Sequence, residues 1–230
     1  AFILCLALPF IAIALSLVYL TDRKNPFYFA RRCGKDGIQF TMIKVRTMSI
    51  SKSNNGVLST ASDDKRIIPI GKLIRSVKID ELTQFINVII GNMAIVGPRP
   101  LPQSDFDKLN NFERLGYSIK PGITDLSSIV FSDEGEILKY AKDPDKEYDR
   151  RIRPWKSRLV HLYKHSKSTR NDFLIMFITA LNIINRKAAL RLIHQYTVSN
   201  CASADIRQLV KRDYPLKIIS PPICHSCIVK

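Results

Sequence analysis

The chain lacks a regular cysteine framework, an excess of acid and any internal repeat. Its 230 residues include five cysteines, at 5, 33, 201, 224 and 227, with no even spacing. That argues against a disulfide-stapled domain and for a reduced compartment. Acidic residues number 20 against 36 basic ones, a formal charge of +16. Such a field favours anionic partners: nucleic acid, acidic lipid or phosphorylated small molecules. No RNA-recognition, helix-turn-helix or zinc-finger pattern is readable, so the charge has no nucleic-acid reader beside it. Cys224-His225-Ser226-Cys227 is only half of a zinc-like pattern. Apolar residues make up 46%, which excludes a disordered chain, and the length allows one domain with appendages.

Charge is absent from Phe2 to Leu20. As a helix this run measures about 28 Å, close to the hydrocarbon thickness of a bilayer. No basic region precedes it and no small-x-small site closes it, so a secretory signal peptide is disfavoured. Pro9 divides the run and predicts a kink. Two membrane forms fit: a tilted spanning helix, or one that bends at Pro9 and returns to its own side. A buried core helix of a soluble protein is the third reading. Arg23, Lys24, Arg31 and Arg32 follow, as expected of a cytoplasmic flank that meets anionic headgroups.

Gly34-Lys35-Asp36-Gly37 is a turn signal, and Ile38 to Val45 alternates like a strand. Ile38, Phe40 and Met42 share one face, which Lys44 and Arg46 continue. Cations emerging from an apolar face suggest a phosphate site, although a strand end reaching solvent reads the same way. Residues 49–63 read as a loop. Residues 64–76 carry Arg66, Lys72 and Arg75 and lead to a helix.

Asp80 and Glu81 open that helix. Leu82, Phe85, Ile86, Ile89 and Ile90 predict its buried face, and Gly91-Asn92 its end. Acids in a first turn are ordinarily caps. Here a short strand, Met93 to Val96, and the rigid turn Gly97-Pro98-Arg99-Pro100 follow at once. Two carboxylates, a fixed turn and an arginine suit metal-assisted chemistry on a phosphate. Lys120-Pro121-Gly122 is a second turn signal, and Asp143-Pro144-Asp145 predicts a helix break. The cations around Trp155 suit a membrane interface or a solvated face. Phe173 to Ile184 is too short to span and predicts a helix on the core or at the interface. Residues 196–230 show no clear periodicity.

Taken in order, these segments resemble the bacterial sugar transferase family, the monotopic phosphoglycosyl transferases. The resemblance rests on Leu8-Pro9, Asn25-Pro26-Phe27-Tyr28-Phe29, Gly34 to Gly37 with Phe40, Lys44-Val45-Arg46-Thr47-Met48 and Asp64-Lys65-Arg66-Ile67. It continues through Ile70 to Arg75, Asp80-Glu81-Leu82 with Gln84, Asn87-Val88, Gly91-Asn92-Met93, Val96 to Pro100 and Lys120 to Thr124. Together they cover residues 1–190. Thr83 stands where the family usually has proline and Asp125 where it usually has glycine, and Tyr163, Ser168 and Asp172 fit loosely.

The resemblance implies an α+β, mainly helical fold. It comprises a Pro-kinked, re-entrant membrane helix (1–22), a compact catalytic domain with a small β element and interfacial helices (23–195), and a tail (196–230). It implies transfer of a sugar-1-phosphate from a UDP-sugar to polyprenyl phosphate, releasing UMP, as the first membrane step of glycan assembly. Asp80 would be the nucleophile and Glu81 the Mg²⁺ ligand. Arg99, Lys44, Arg46 and Arg75 would meet phosphate. The expected place is the bacterial inner membrane, with the catalytic domain on the cytoplasmic side and anionic lipid rather than nucleic acid as partner. The alternative is a non-catalytic membrane-bound scaffold of the same fold.

Overall fold

The computed structural model describes residues 2–50, 64–213 and 215–229. The fold is mainly helical with two small sheets, the expected α+β class. Helix α1 (Phe2–Asp22) leads into a hairpin of β1 (Phe27–Cys33) and β2 (Gln39–Val45), closed by a tight turn at Lys35–Gly37. Next come α2 (Pro69–Ser76), a 3₁₀ turn at Ile79–Glu81, α3 (Gln84–Ile90) and β3 (Ala94–Val96). Short helices α4 (Gln103–Asp107) and α5 (Asn111–Leu115) precede β4 (Gly122–Thr124), which pairs parallel with β3. Helices α6 (Leu126–Val130), α7 (Glu134–Leu138) and α8 (Pro144–Glu147) lead to a bundle. It consists of α9 (Arg153–Ser166), α10 (Thr169–Ile184), α11 (Arg186–Ser199) and α12 (Ala204–Lys211).

The main core lies between that bundle and α6, around Leu126, Ile129, Leu159, Leu162, Tyr163, Ile175, Ile178 and Ile193. A smaller cluster joins Ala14 and Val18 of α1 to Val45, Ile68 and Ile74. Ala7, Ile11, Ala14 and Val18 form a buried stripe at helical spacing, while Leu8, Phe10, Ile13, Leu17 and Leu20 stay exposed. Pro9 lies inside α1. Among the described residues no helix is long and apolar enough to cross a membrane.

Several sequence expectations change here. The predicted apolar face of α3 is not its buried face: Ile89 and Ile90 are 57% and 63% exposed. Thr83, Gln84 and Asn87 are buried instead. Asn87 Nδ2 donates to the Thr41 carbonyl (2.7 Å), its Oδ1 accepts from Ile43 N (3.0 Å), and Thr83 Oγ1 donates to the Ile43 carbonyl (3.0 Å). Polar side chains thus clamp α3 to β2, because unsatisfied backbone groups there would cost more than exposed apolar ones. Gly91 does end α3, at φ 92°. The turn expected at Lys120-Pro121-Gly122 leads straight into strand β4. Gly122 sits against Gly97 so closely that a Cβ on it would lie 2.1 Å from Gly97 N.

Trp155 belongs to neither a membrane interface nor a solvated face. It is 2% exposed, and its Nε1 donates to the Lys217 carbonyl (2.9 Å). Pro144 does not only break helix; with Asp143 accepting from Lys146 N (3.1 Å), it starts α8. Helix α10 buries Ile175 and Ile178 on one side and exposes Phe173, Phe177 and Ile184 on the other. Helix α11 runs through residue 195, and Ile206, Leu209, Val210 and Ile228 join the main core. The loop expected at 49–63 lies, from residue 51 on, outside the described residues.

Candidate active site

Lys78 takes a left-handed backbone (φ 56°), rare for a residue with a Cβ, and turns the chain sharply out of α2. Asp80 and Glu81 therefore sit in a 3₁₀ turn of their own, ahead of α3. The ordinary capping role of such acids is absent: no side chain caps the turn or α3 among the described residues.

Glu81 is the hub. Arg99 grips both its oxygens: Nη1 donates to Oε2 (2.8 Å) and Nη2 to Oε1. Lys44 Nζ, from β2, lies 3.2 Å from Oε1. Arg99 is held in turn by Ile123, whose carbonyl accepts from Nη1 (3.1 Å), and its turn is tied to β4 because Gly122 N donates to the Pro98 carbonyl (3.0 Å). Burial pushes the Glu81 carboxyl up, but Arg99, Lys44 and Lys78 outweigh it and hold it far below the usual carboxylate range. Burial lowers Lys44, and it lowers Lys78 too, against the pull of Glu81.

Asp80 behaves oppositely. It is 7% exposed, and among the described residues its carboxylate accepts no hydrogen bond. Burial, with the neighbouring charge of Glu81, raises its pKa beyond what Lys44, Arg75 and Arg99 can offset. The pair therefore titrates as one strongly fixed anion and one reluctant anion.

The structure thus brings together Asp80, Glu81, Arg99 and Lys44. Arg75 acts on Asp80 by charge and donates from Nε to Thr47 Oγ1 (2.9 Å). Arg46 is placed elsewhere. Its guanidinium holds Asp22 at the end of α1 (2.6 and 2.8 Å) and the carbonyls of Asn25 and Met48. Pro9 lies within α1, away from this cluster in sequence. Two cations were not singled out as site residues from sequence: Lys78, whose only signal is its place beside the acidic pair, and Arg32.

A cavity of 590 Å³ opens beside the hub, within the ordinary range of about 300–1,000 Å³ for ligand clefts. Lys78, Glu81 and Arg99 line one part; Ser128, Glu134, Tyr148 and Lys156 line another. Ser128 Oγ is buried without a hydrogen-bond partner among the described residues. A second cavity of 240 Å³ lies across Arg99, with Arg32 and Lys44 in its wall. Asp80 is in neither wall; its neighbours Lys78 and Glu81 line the larger cavity only.

Among the described residues no three His, Cys, Asp or Glu side chains gather as a metal cage. Two adjacent carboxylates are the donor set for a magnesium ion that arrives with a diphosphate, since Mg²⁺ takes one or two carboxylates plus phosphate oxygens. Asp80 and Glu81 have the donor chemistry for that mode, and in this structure both Glu81 oxygens are taken by Arg99 and Lys44.

The departures from the family pattern have local causes. Thr83 supplies the hydroxyl that β2 accepts. Asp125 caps α6, accepting from Ser128 N (2.7 Å) and Ser127 Oγ (2.5 Å). Tyr163 donates to Asp172 Oδ1 (2.7 Å), and Ser168 caps α10.

The model of the family described as "Bacterial sugar transferase" matches residues 1–186. The chain is 35% identical over 123 residues to a UDP-glucose:undecaprenyl-phosphate glucose-1-phosphate transferase of Klebsiella pneumoniae, covering 52% of the chain and 26% of that protein. It is 31% identical over 173 residues to a UDP-N-acetylgalactosamine-undecaprenyl-phosphate N-acetylgalactosaminephosphotransferase of Aeromonas hydrophila, covering 73% and 37%. An Escherichia coli (strain K12) protein with the same name as the Klebsiella one is 30% identical over 183 residues, covering 76% and 36%. The chain thus spans between a quarter and two fifths of the length of these three relatives. Since one family model accounts for most of its length, the chain belongs to the bacterial sugar transferase family.

Proposed function

We propose that the chain transfers a sugar-1-phosphate from a UDP-sugar to polyprenyl phosphate, with release of UMP. The observation that carries this reading is the unequal acidic pair. Asp80 is a buried carboxylate that accepts no hydrogen bond among the described residues, one residue from a carboxylate clamped by Arg99 and Lys44. A bare carboxylate is a better nucleophile than a solvated or hydrogen-bonded one.

In this reading the donor's diphosphate enters beside Lys78 and Arg99 and draws Arg99 from Glu81 onto phosphate oxygens, a bidentate match. That movement frees Glu81 and opens Asp80. An Asp80 oxygen forms a bond to the sugar-bearing phosphorus, and the bond from that phosphorus to UMP breaks. An oxygen of the acceptor phosphate then attacks the same phosphorus and releases the Asp80 carboxylate. Lys44 and Arg75 balance the charge that builds on phosphate. Magnesium held by Glu81 would supply charge neutralisation on the departing phosphate. The smaller cavity, with Arg32, Lys44 and Arg99, suits the acceptor phosphate.

The exposed apolar residues of α1, Ile89 and Ile90 of α3, and Phe173, Phe177 and Ile184 of α10 suit a bilayer as the acceptor's home. We infer that α1 enters the bacterial inner membrane, turning back at Pro9, with the catalytic residues on the cytoplasmic side. Arg23, Lys24 and Arg31 would meet anionic headgroups.

The test is UMP release from a panel of UDP-sugars with Mg²⁺ and polyprenyl phosphate. Turnover with at least one sugar, and its loss in Asp80→Asn, is the expected result. Full activity of Asp80→Asn would remove the nucleophile assignment, and no turnover with any sugar would remove the function.

A further inference from the structure

The C-terminal segment holds chemistry that phosphosugar transfer does not use. Cys224, His225, Ser226 and Cys227 form a tight turn in which the Cys224 and Cys227 sulfurs lie 3.4 Å apart. Both thiols are free. Cys224 is exposed and Cys227 half-buried, so one sulfur meets solvent and the other sits behind it. Closing an S–S bond of about 2.05 Å from this spacing needs a shift of little more than about 1 Å.

The turn is fixed to the body. Ile228 is fully buried in the main core, with Cys227 beside it. Ser203 N donates to the Ile228 carbonyl (2.8 Å), Ser203 Oγ to the Cys227 carbonyl (3.3 Å), and Ala202 bridges Val229. The Ser226 hydroxyl lies 3.0 Å from Cys224 Sγ, and hydrogen bonds from Ser226 and Cys227 hold the Cys224 thiol below its usual range. A metal site is disfavoured. His225 turns its ring edge-on to Phe112 (5.4 Å between ring centres), and no third ligand joins the sulfurs among the described residues.

We propose that Cys224 and Cys227 form a redox-active dithiol that exchanges with low-molecular-weight disulfides. The Cys224 thiolate attacks one sulfur of the small disulfide, forming a mixed disulfide and releasing one small thiolate. The Cys227 thiolate then attacks Cys224 Sγ, closing the intramolecular bond and releasing the second small thiolate. The protein loses two electrons and two protons, and the small disulfide gains both as two thiols. The exposed Cys224 starts the exchange, and the half-buried Cys227 resolves it.

The test uses the full chain, oxidised glutathione at graded ratios to reduced glutathione, an acid quench and peptide mass mapping. In the wild type, loss of two hydrogens maps to the peptide containing Cys224 and Cys227, and dithiothreitol reverses it. Exposed Cys201 serves as the internal reference and reacts at least about tenfold more slowly than Cys224. Cys227→Ser accumulates a single glutathionyl adduct on Cys224, and Cys224→Ser does not close. A stable mixed disulfide on wild-type Cys224 without closure would overturn the proposal. So would loss of two hydrogens in Cys227→Ser, or zinc, added alone, that binds tightly and blocks exchange.

Discussion

Asp80 and Glu113 are both buried carboxylates, at 7% and 1% exposure, and their surroundings are opposite. Glu113 is fully served. Asn110 N donates to Oε2 (3.0 Å), Ser157 Oγ to Oε1 (2.7 Å), and Arg153 reaches both oxygens at 3.3 Å. With Asn110 it completes a capping box on α5. Asp80 accepts no hydrogen bond among the described residues, while Arg99 and Lys44 hold its neighbour Glu81. A satisfied buried carboxylate joins elements together. One left bare, with cations one residue away, raises the free energy of the folded state and keeps its lone pairs available.

The predictions press on this contrast. Asp80→Asn lowers UMP release by at least about 10³-fold, the scale seen when a nucleophile is removed. Burial raises the Asp80 pKa in the folded state, so its ionised form weakens the fold at neutral pH. The same variant is therefore as stable as wild type or more so in denaturant unfolding. Glu113→Ala does the reverse: it costs about 3–5 kcal/mol of stability, because Asn110 N and Ser157 Oγ lose their buried acceptor and Arg153 keeps, among the described residues, only Asp149, at 3.4 Å. An Asp80→Asn protein that unfolds as readily as Glu113→Ala would erase the contrast. Arg99→Lys lowers turnover by about 10²-fold, since an ammonium cannot make the two-point contact.

The smallest effect is on pH. His161 is 3% exposed, stacks on Phe112 at 4.2 Å between ring centres, and has a pKa lowered from 6.5 to about 4, mainly by burial. The unfolded chain binds this proton first, so the His161 contribution to stability is present above about pH 6.5 and lost as pH falls towards 4. Urea midpoints measured across that window fall with acid in the wild type, and fall less in His161→Phe.

The motif residues were legible in sequence because they are contiguous and bound by rigid turns. Asp80-Glu81 and Gly97 to Pro100 meet as spacing suggested, and Lys44 reaches Glu81 from a strand whose period was readable. Arg46 shows the limit. It was read on the same face as Lys44, but β2 ends at Val45 and the chain carries Arg46 to Asp22. Apolar periodicity misread α3 because that rule takes water as the only alternative to a core. Here Thr83 and Asn87 satisfy the backbone of β2, leaving Ile89 and Ile90 outside. Lys78 depends on a left-handed backbone and Arg32 on a cavity between distant segments, neither of which local pattern encodes. The tail's place in the core rests on Trp155, Lys217 and Ile228, contacts made across long stretches of chain.

The central claim is that Asp80 bonds to the phosphosugar. The most direct measurement is the intact mass of the protein after incubation with Mg²⁺ and a UDP-sugar that it turns over, with polyprenyl phosphate omitted, followed by peptide mapping. The account predicts a phosphosugar adduct on the peptide containing Asp80, discharged when polyprenyl phosphate is added and absent in Asp80→Asn. Turnover that proceeds with no adduct on the chain, or an adduct that persists in Asp80→Asn, would contradict it.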